Sequence, residues 1–537
     1  MRKIFCATLV AASLFASTSC ENWLDVNTNP NGPDRLEQPD LFMPQIQAAL
    51  GVGVQWDGMY VGHYIQNWAQ ITEQYTFDWH GSPQSDANAT LWRNVYSYMG
   101  VNLSNMIENA ERNRKYDFAG VGYIMRAWGW QLLTDYHGEI IVSQAFEPGR
   151  TSFDYDPQPF VYEEIQRLLE MGIENLERTD GLSQAESGLS EADYIYEGDR
   201  EKWKKLAYGL LARNAHRLTN KSSYDPNVVI GYLDKSLASS ADDAFIRFEG
   251  TISNNTSFFG PLRNNLPSKR QTDFVVGLLG GEEPVLNPVL SDPAVTDPLY
   301  EGEHLRDPRI TAMLAPSPVD NKYRGITPGA GIAEWTIDSG LRPNTFYNTT
   351  TGNAVTPTTG QVYFFGNAEP FPLMTYAELQ FVRAEAEWIK AGNTASANAL
   401  TAYRNGVSSH IDFARQYAAD KTLYDQRMAE YVASEELMPT TTAGLTLSKI
   451  MLQKYIATWG WGFFETWSDM RRYHYDSEVY KGFQIPQTLV TVNEGKPVYR
   501  GVPRFNSEYM WNKAALDAIG GNNPDYHTYE MWFSKPE

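Results

Sequence analysis

The chain has 537 residues and a formal charge of −21, with 42% hydrophobic and 20% charged residues. That composition belongs to a globular protein, not a disordered one. Its acidity argues against a nucleic-acid partner, which needs a basic face. Aromatics make up 13%, with 15 Trp, 32 Tyr and 24 Phe, enough to fill a core and leave rings for a binding surface.

Arg2 and Lys3 precede an apolar stretch, Ile4 to Ala16, that is too short to span a bilayer. Ser17, Thr18 and Ser19 lead into Cys20. This is the pattern of a bacterial lipoprotein signal, in which residues 1–19 are removed and Cys20 carries acyl chains. An ordinary secretory signal with an incidental cysteine is the alternative. Cys6 would leave with the signal, so the mature chain has no internal disulfide. No other segment approaches about 18 consecutive apolar residues, so a soluble body held by its lipid is expected.

Residues 20–40 read as the lipidated Cys and an extended tether, because Asn27-Thr28-Asn29-Pro30-Asn31-Gly32-Pro33 blocks helix. Residues 41–537 read as one domain. Helical periodicity dominates it. Phe118, Val121, Met125, Trp128 and Leu132 share one face, as do Val161, Ile165, Leu168, Leu169, Gly172 and Leu176. Trp203, Leu206, Leu210 and Leu211 make a third face. Tyr376, Leu379, Val382 and Ala386 make a fourth, and Leu445, Leu452, Tyr455, Ile456 and Trp459 a fifth. Asp156-Pro157 and Asp225-Pro226 suit helix starts. Helix pairs recurring every 30–40 residues or so predict stacked hairpins of tetratricopeptide type.

Between about 240 and 372 the periodicity collapses into Pro, Gly, Asn and Thr, yet the stretch holds Phe258, Phe259, Tyr300, Tyr323, Trp335, Phe346, Tyr347, Tyr363, Phe364 and Phe365. Disordered chain is poor in aromatics. An ordered, loop-rich subdomain is therefore expected on the helical scaffold, and loops are where function concentrates. No H-E-x-x-H, cysteine cluster, G-x-S-x-G or phosphate-binding glycine fingerprint occurs. No cofactor is called for. Asp154 and Asp156 hint at calcium without the rest of an EF-hand loop, which leaves a structural calcium ion open.

Several segments together resemble the SusD/RagB family of outer-membrane nutrient-binding lipoproteins, in its SusD-like branch. The strongest is KIMLQKYIATWGWGFFETWSDMRRY at 449–473, with Ile450, Gln453, Lys454, Trp459, Glu465, Trp467, Asp469, Arg471 and Arg472. Others are TYAELQFVRAEAEWIKAG at 375–392, LLTDYHGEIIVSQAF at 132–146, GDREKWKKLAYGLLARNAHRL at 198–218 and the start CENWLDVNTNPN. The third departs from the family pattern at Glu139 and Ile141. The resemblance implies a mainly α fold, a SusD-like superhelix of tetratricopeptide-like hairpins with a large irregular ligand-binding part. It also implies a location on the outer membrane, facing outward, and a SusC-like TonB-dependent β-barrel transporter as partner.

Glu465, Asp469 and Arg472 fall on one helix face. They read as an ion-pair network more readily than as a catalytic pair, because a neighbouring Arg keeps carboxylates ionised while a general acid needs a raised pKa. Binding candidates are aromatics outside helical core faces: Trp79 first, with Tyr75 and Phe77 beside it, and Asp78, Gln84 and Asn88 as polar neighbours. Trp335 and Tyr347 follow, in the loop-rich part. Trp56 and Trp68 read as core. A flat ring stacks on a pyranose face while polar groups bond its hydroxyls. The leading expectation is a non-enzymatic glycan-binding protein that feeds a transporter. A peptide-binding member, a helical glycoside hydrolase and a pure protein scaffold are the alternatives.

Overall fold

The computed structural model describes residues 38–72, 75–83, 85–280, 300–301, 304–305, 307–319, 321–330, 341–348, 361–435 and 437–537. Among them the longer helices are α1 (Met43–Tyr64), α2 (Val101–Arg112), α3 (Tyr116–His137), α4 (Gln158–Glu177), α5 (Arg200–His216) and α6 (Pro226–Leu233). After a long irregular interval come α7 (Tyr376–Lys390), α8 (Ala397–Arg415), α9 (Lys421–Val432), α10 (Leu447–Thr458) and α11 (Phe463–Arg472). None is long and apolar enough to cross a membrane.

The helix starts follow from local chemistry. The Asp225 side chain accepts from Asn227 N with Pro226 in the first turn, and Pro157 stands as the N-cap of α4. Thr375, Ser396 and Thr446 cap α7, α8 and α10 with side-chain oxygens. Each of the five expected apolar faces packs inward. Those of α3 and α4 are buried in full, and Leu445 and Trp459 sit just beyond the two ends of α10.

From α2 to α8 each helix packs against the next, which gives the expected stack of hairpins. The α3–α4 crossing is the tightest to argue from residues. A Cβ on Gly120 would stand 2.8 Å from Gly172 O, and one on Gly172 would stand 3.0 Å from Gly120 O. Two glycines thus let the backbones touch. α10 packs on α7 and α8, and α11 packs on α1 and α3, so these C-terminal helices bind the two halves of the stack together.

Strands are few. Trp68–Gln70 pairs antiparallel with Lys269–Gln271, and Ala244–Ile246 with Phe371–Met374. Both pairs stitch the irregular interval to the helices. Its described aromatic residues form a core: Phe346 lies 4.6 Å from Phe365 and 5.8 Å from Trp459, centroid to centroid, and Phe259 lies 5.7 Å from Trp68. Trp68 is fully buried, as expected of a core ring. Trp56 is half-buried, with its indole N–H on Ala87 O.

Candidate functional site

Two places compete for the site. The first is a buried cluster of charge where α3, α5, α7, α10 and α11 meet. Arg217 donates to Asp135 Oδ2 at 2.9 Å and to Glu465. Arg213 pairs with Glu378 at 2.6 Å and reaches Glu465 at 3.5 Å. Lys454 holds Asp469 at 2.7 Å, and Arg472 bridges Asp469 and Glu385 at 2.7 and 2.8 Å. The described motif segments that carried the family resemblance therefore converge in one network.

Burial alone would raise the Glu465 carboxyl, but Arg213 and Arg217 hold it at about 2. Burial works against Glu385 too, and Arg472 with His216 keeps it well below the usual carboxylate range. Glu465 and Glu385 are thus held ionised against protein cations, whereas burial raises Asp135 and Glu378 against the pull of Arg217 and Arg213. Such an arrangement fixes helices and gives a substrate no proton.

The second place is a cleft of about 460 Å³ at the junction of the 75–83 loop, the irregular interval and residues 482–488. Trp79 forms one wall. Opposite and around it stand Asp273, Thr327, Gln484, Gln487 and Thr488. The loop that presents Trp79 is a series of tight turns, with Trp79 N on Thr76 O at 3.2 Å and Gly81 N on Thr76 O at 2.8 Å.

Asp78 anchors that loop from within. Its Oδ2 accepts from Gln70 N at 3.0 Å and its Oδ1 lies 2.6 Å from His63 Nδ1. Burial lowers the His63 pKa against the pull of Asp78. Burial also lowers nearby Lys269 to about 8, again opposed by Asp78. On the cleft side, Trp79 Nε1 approaches Gly329 O at 3.4 Å, and Trp79 O accepts from Val490 N at 3.0 Å. Gly329 has φ +83, and a Cβ there would stand 2.7 Å from Trp79 Nε1. Only glycine lets the 327–330 segment lie this close to the indole.

Of the described residues expected to meet a ligand, Trp79 alone lines this cleft. Phe77 is 4% exposed and packs on Tyr60, with centroids 4.5 Å apart. Tyr75 is half-buried against His63 at 4.8 Å. Asp78 is spent on Gln70 and His63. Asn88 is fully buried and donates to Ser82 Oγ at 2.9 Å, while its backbone carbonyl accepts from the Tyr136 hydroxyl at 2.9 Å. Tyr347 is 3% exposed, its hydroxyl oxygen accepting from Leu266 N. For Phe77, Asp78, Asn88 and Tyr347 the expectation of ligand contact gives way to internal roles, because loop residues next to a ring-rich core were recruited into it. Cys20, Gln84 and Trp335 lie outside the described residues.

Asp273, Thr327 and Gln484 were not singled out from the sequence. Asp273 Oδ2 accepts from Thr327 Oγ1 at 2.9 Å, and the Gln66 side-chain amide donates to Gln484 O at 2.6 Å. No local pattern flags residues that meet across 54 positions, as Asp273 and Thr327 do, or 418, as Gln66 and Gln484 do. At the residues of the calcium hint, Asp156 accepts from Val142 N, Ser143 N and Ser143 Oγ, and Asp154 accepts from the Gln144 amide. Glu139, at the family departure, pairs with Arg500 at 2.5 Å.

The fold is similar to solved structures over nearly its full length. A SusD/RagB family protein from Bacteroides thetaiotaomicron matches with a TM-score of 0.66 and 22% identity, over 93% of this chain and 99% of that one. A SusD homologue from Bacteroides fragilis matches with a TM-score of 0.67 and 21% identity, over 93% and 100%. A protein described as chitin-binding matches with a TM-score of 0.66 and 19% identity, over 93% and 100%. No curated protein sequence matches the chain. The SusD-like family profile, described as starch-binding associating with outer membrane, matches residues 37–488. The chain belongs to this SusD-like family.

Proposed function

We propose that this chain is a cell-surface lipoprotein, anchored through Cys20 to the outer membrane. In this reading it binds an oligosaccharide in the cleft beside Trp79 and passes it to a SusC-like TonB-dependent transporter. The observation that carries the reading is the cleft itself: one half-buried indole faces a ring of amide, hydroxyl and carboxylate groups. A pyranose needs that combination, an apolar face for stacking and convergent polar groups for its hydroxyls. The family description of starch binding at the outer membrane supports the ligand class and the location.

Binding without hydrolysis fits the chemistry. Glycoside hydrolysis needs two carboxyl groups on opposite sides of the bond, and Asp273 is the one acid among the described residues of the cleft. The buried acids of the helix junction are held by Arg and Lys. The reading requires no cofactor.

Titration calorimetry against maltooligosaccharides, chitooligosaccharides and short peptides tests it. Trp79→Ala is expected to weaken glycan binding by at least about tenfold, roughly 1.4 kcal/mol, with an unchanged melting temperature. Silence toward every glycan, or binding indifferent to Trp79→Ala, would sink the glycan reading, and a peptide signal would replace it. Gly329→Ala is expected to act in the same direction. Its Cβ displaces the indole, and the left-handed backbone adds about 1 kcal/mol of strain. Affinity should fall together with a slight loss of thermal stability. Mass spectrometry of the membrane fraction checks the anchor, since Cys20→Ser should release the chain.

A further inference from the structure

A second cleft, of about 360 Å³, opens between α4, α5 and α6 and shares no lining residue with the first. Its aromatic wall is Tyr162, Tyr224, Tyr232 and Trp532. Protein contacts hold most of these rings in place. The Tyr162 hydroxyl donates to Asp135 Oδ1 at 2.8 Å, and the Tyr224 hydroxyl lies 2.9 Å from His216 Nδ1. Lys221 Nζ stands 4.3 Å from the Trp532 ring centroid and donates to Lys535 O at 2.9 Å. A wall fixed in advance spares a ligand the cost of ordering it.

Besides the Tyr162 and Tyr224 hydroxyls, Asp225 is also spent, its carboxylate accepting from Asn227, but several polar groups of the cleft are not. Asn214, 5% exposed, donates its Nδ2 to Tyr162 O at 3.0 Å, while its Oδ1 has no partner. Exposed Glu163 has no ion pair or hydrogen bond among the described residues. The indole N–H of Trp532 and the hydroxyls of Tyr232 and Ser223 also lack a hydrogen-bond partner among them. The lining thus combines free donors and acceptors with aromatic carbon.

That mixture selects among ligand classes. A cation is disfavoured, because the Lys221 ammonium already lies over Trp532. A purely apolar ligand would bury Glu163 and the free donors without partners, which is costly. A neutral ring with an apolar face and a hydroxylated edge satisfies both sides. We propose that this cleft is a second carbohydrate site, which takes one or two neutral pyranose units against the wall of Trp532 and Tyr232, with Glu163, Ser223 and the indole N–H bonding their hydroxyls. The site does not depend on the Trp79 cleft.

Saturation-transfer NMR on the full protein, with maltose and with diacetylchitobiose as probes, tests this. At least one disaccharide is expected to receive saturation in the wild type and to keep receiving it in Trp79→Ala. In the Trp79→Ala background, Trp532→Ala should then weaken binding by at least about tenfold. Val228→Trp is the companion variant, because Val228 is 45% exposed at the cleft and a larger side chain there fills the opening without entering the core. It should abolish the residual signal while thermal unfolding stays unchanged, and it decides the matter if Trp532→Ala fails to fold. Loss of all transfer in Trp79→Ala alone would overturn the second site, as would a residual signal indifferent to Val228→Trp. A response to choline with none to either disaccharide would also overturn it, in favour of a cation site. Calorimetric loss in Trp79→Ala without any change in the residual transfer would leave both sites standing, so failure of one is distinguishable from failure of the other.

Discussion

Arg217→Met is expected to destabilise the protein by about 3–5 kcal/mol, read as a lower denaturation midpoint at unchanged slope. Arg217 is 1% exposed and bonds two acids at once, Asp135 and Glu465. Removing it leaves Asp135, itself 1% exposed, with the Tyr162 hydroxyl and no other cation within bonding distance of its carboxylate among the described residues. Glu465 keeps only the 3.5 Å contact to Arg213. Adding Asp135→Asn should return part of the loss, because it removes the stranded charge.

The acid response follows with a definite sign. Glu465 titrates near 2 in the folded chain and at about 4.3 when unfolded. A depressed carboxyl stabilises the fold above the unfolded value. That contribution drains away as pH falls from about 4.3 toward 2. In Arg217→Met the folded value rises, so the acid-unfolding midpoint should move to higher pH. An unmoved midpoint would mean that the network does not hold Glu465 down.

Trp459→Ala is the second large effect, at about 3–5 kcal/mol. Trp459 is fully buried just past the end of α10. Its indole donates to Asn67 O, and its ring meets Phe346 and Phe365, each at a centroid distance of 5.8 Å. The ring thus joins the irregular interval to the helical stack. Its loss leaves a cavity where two kinds of structure meet, so hydrogen exchange should accelerate in 341–348 and 361–365 more than in α3 or α4. Uniform acceleration across the chain would argue against a local joint.

The helices with a clear apolar stripe were legible because they pack one face inward. α1 was not, although it has 22 residues. It carries Gly51, Gly53, Gly58 and Gly62, and it is surrounded by Leu91, Ile246, Phe463 and Trp68, which press against those glycines. Only a narrow stripe of α1 stays open, with Gln45 and Ala48 exposed and Val52, Trp56 and Tyr60 half-buried, so its periodicity is faint, and glycines lower its helix propensity. The charge network was half legible: Glu465, Asp469 and Arg472 share a helix face, but Asp135, Arg217, Glu378 and Glu385 join them from far along the chain. Trp79 was singled out because its loop breaks a helical pattern, and it lines the cleft. The rings beside it looked the same in sequence and turned inward, since local chemistry does not say which aromatic faces solvent.

The long-range bonds have a consequence for biogenesis. Gln66 is tied to Gln484, Asp86 to Asn506 and Phe153 to Asn512. The amino-terminal third cannot settle until a stretch synthesised several hundred residues later arrives, and such distant closures are slow. A polypeptide of this kind completes its packing only after its last segments have been made.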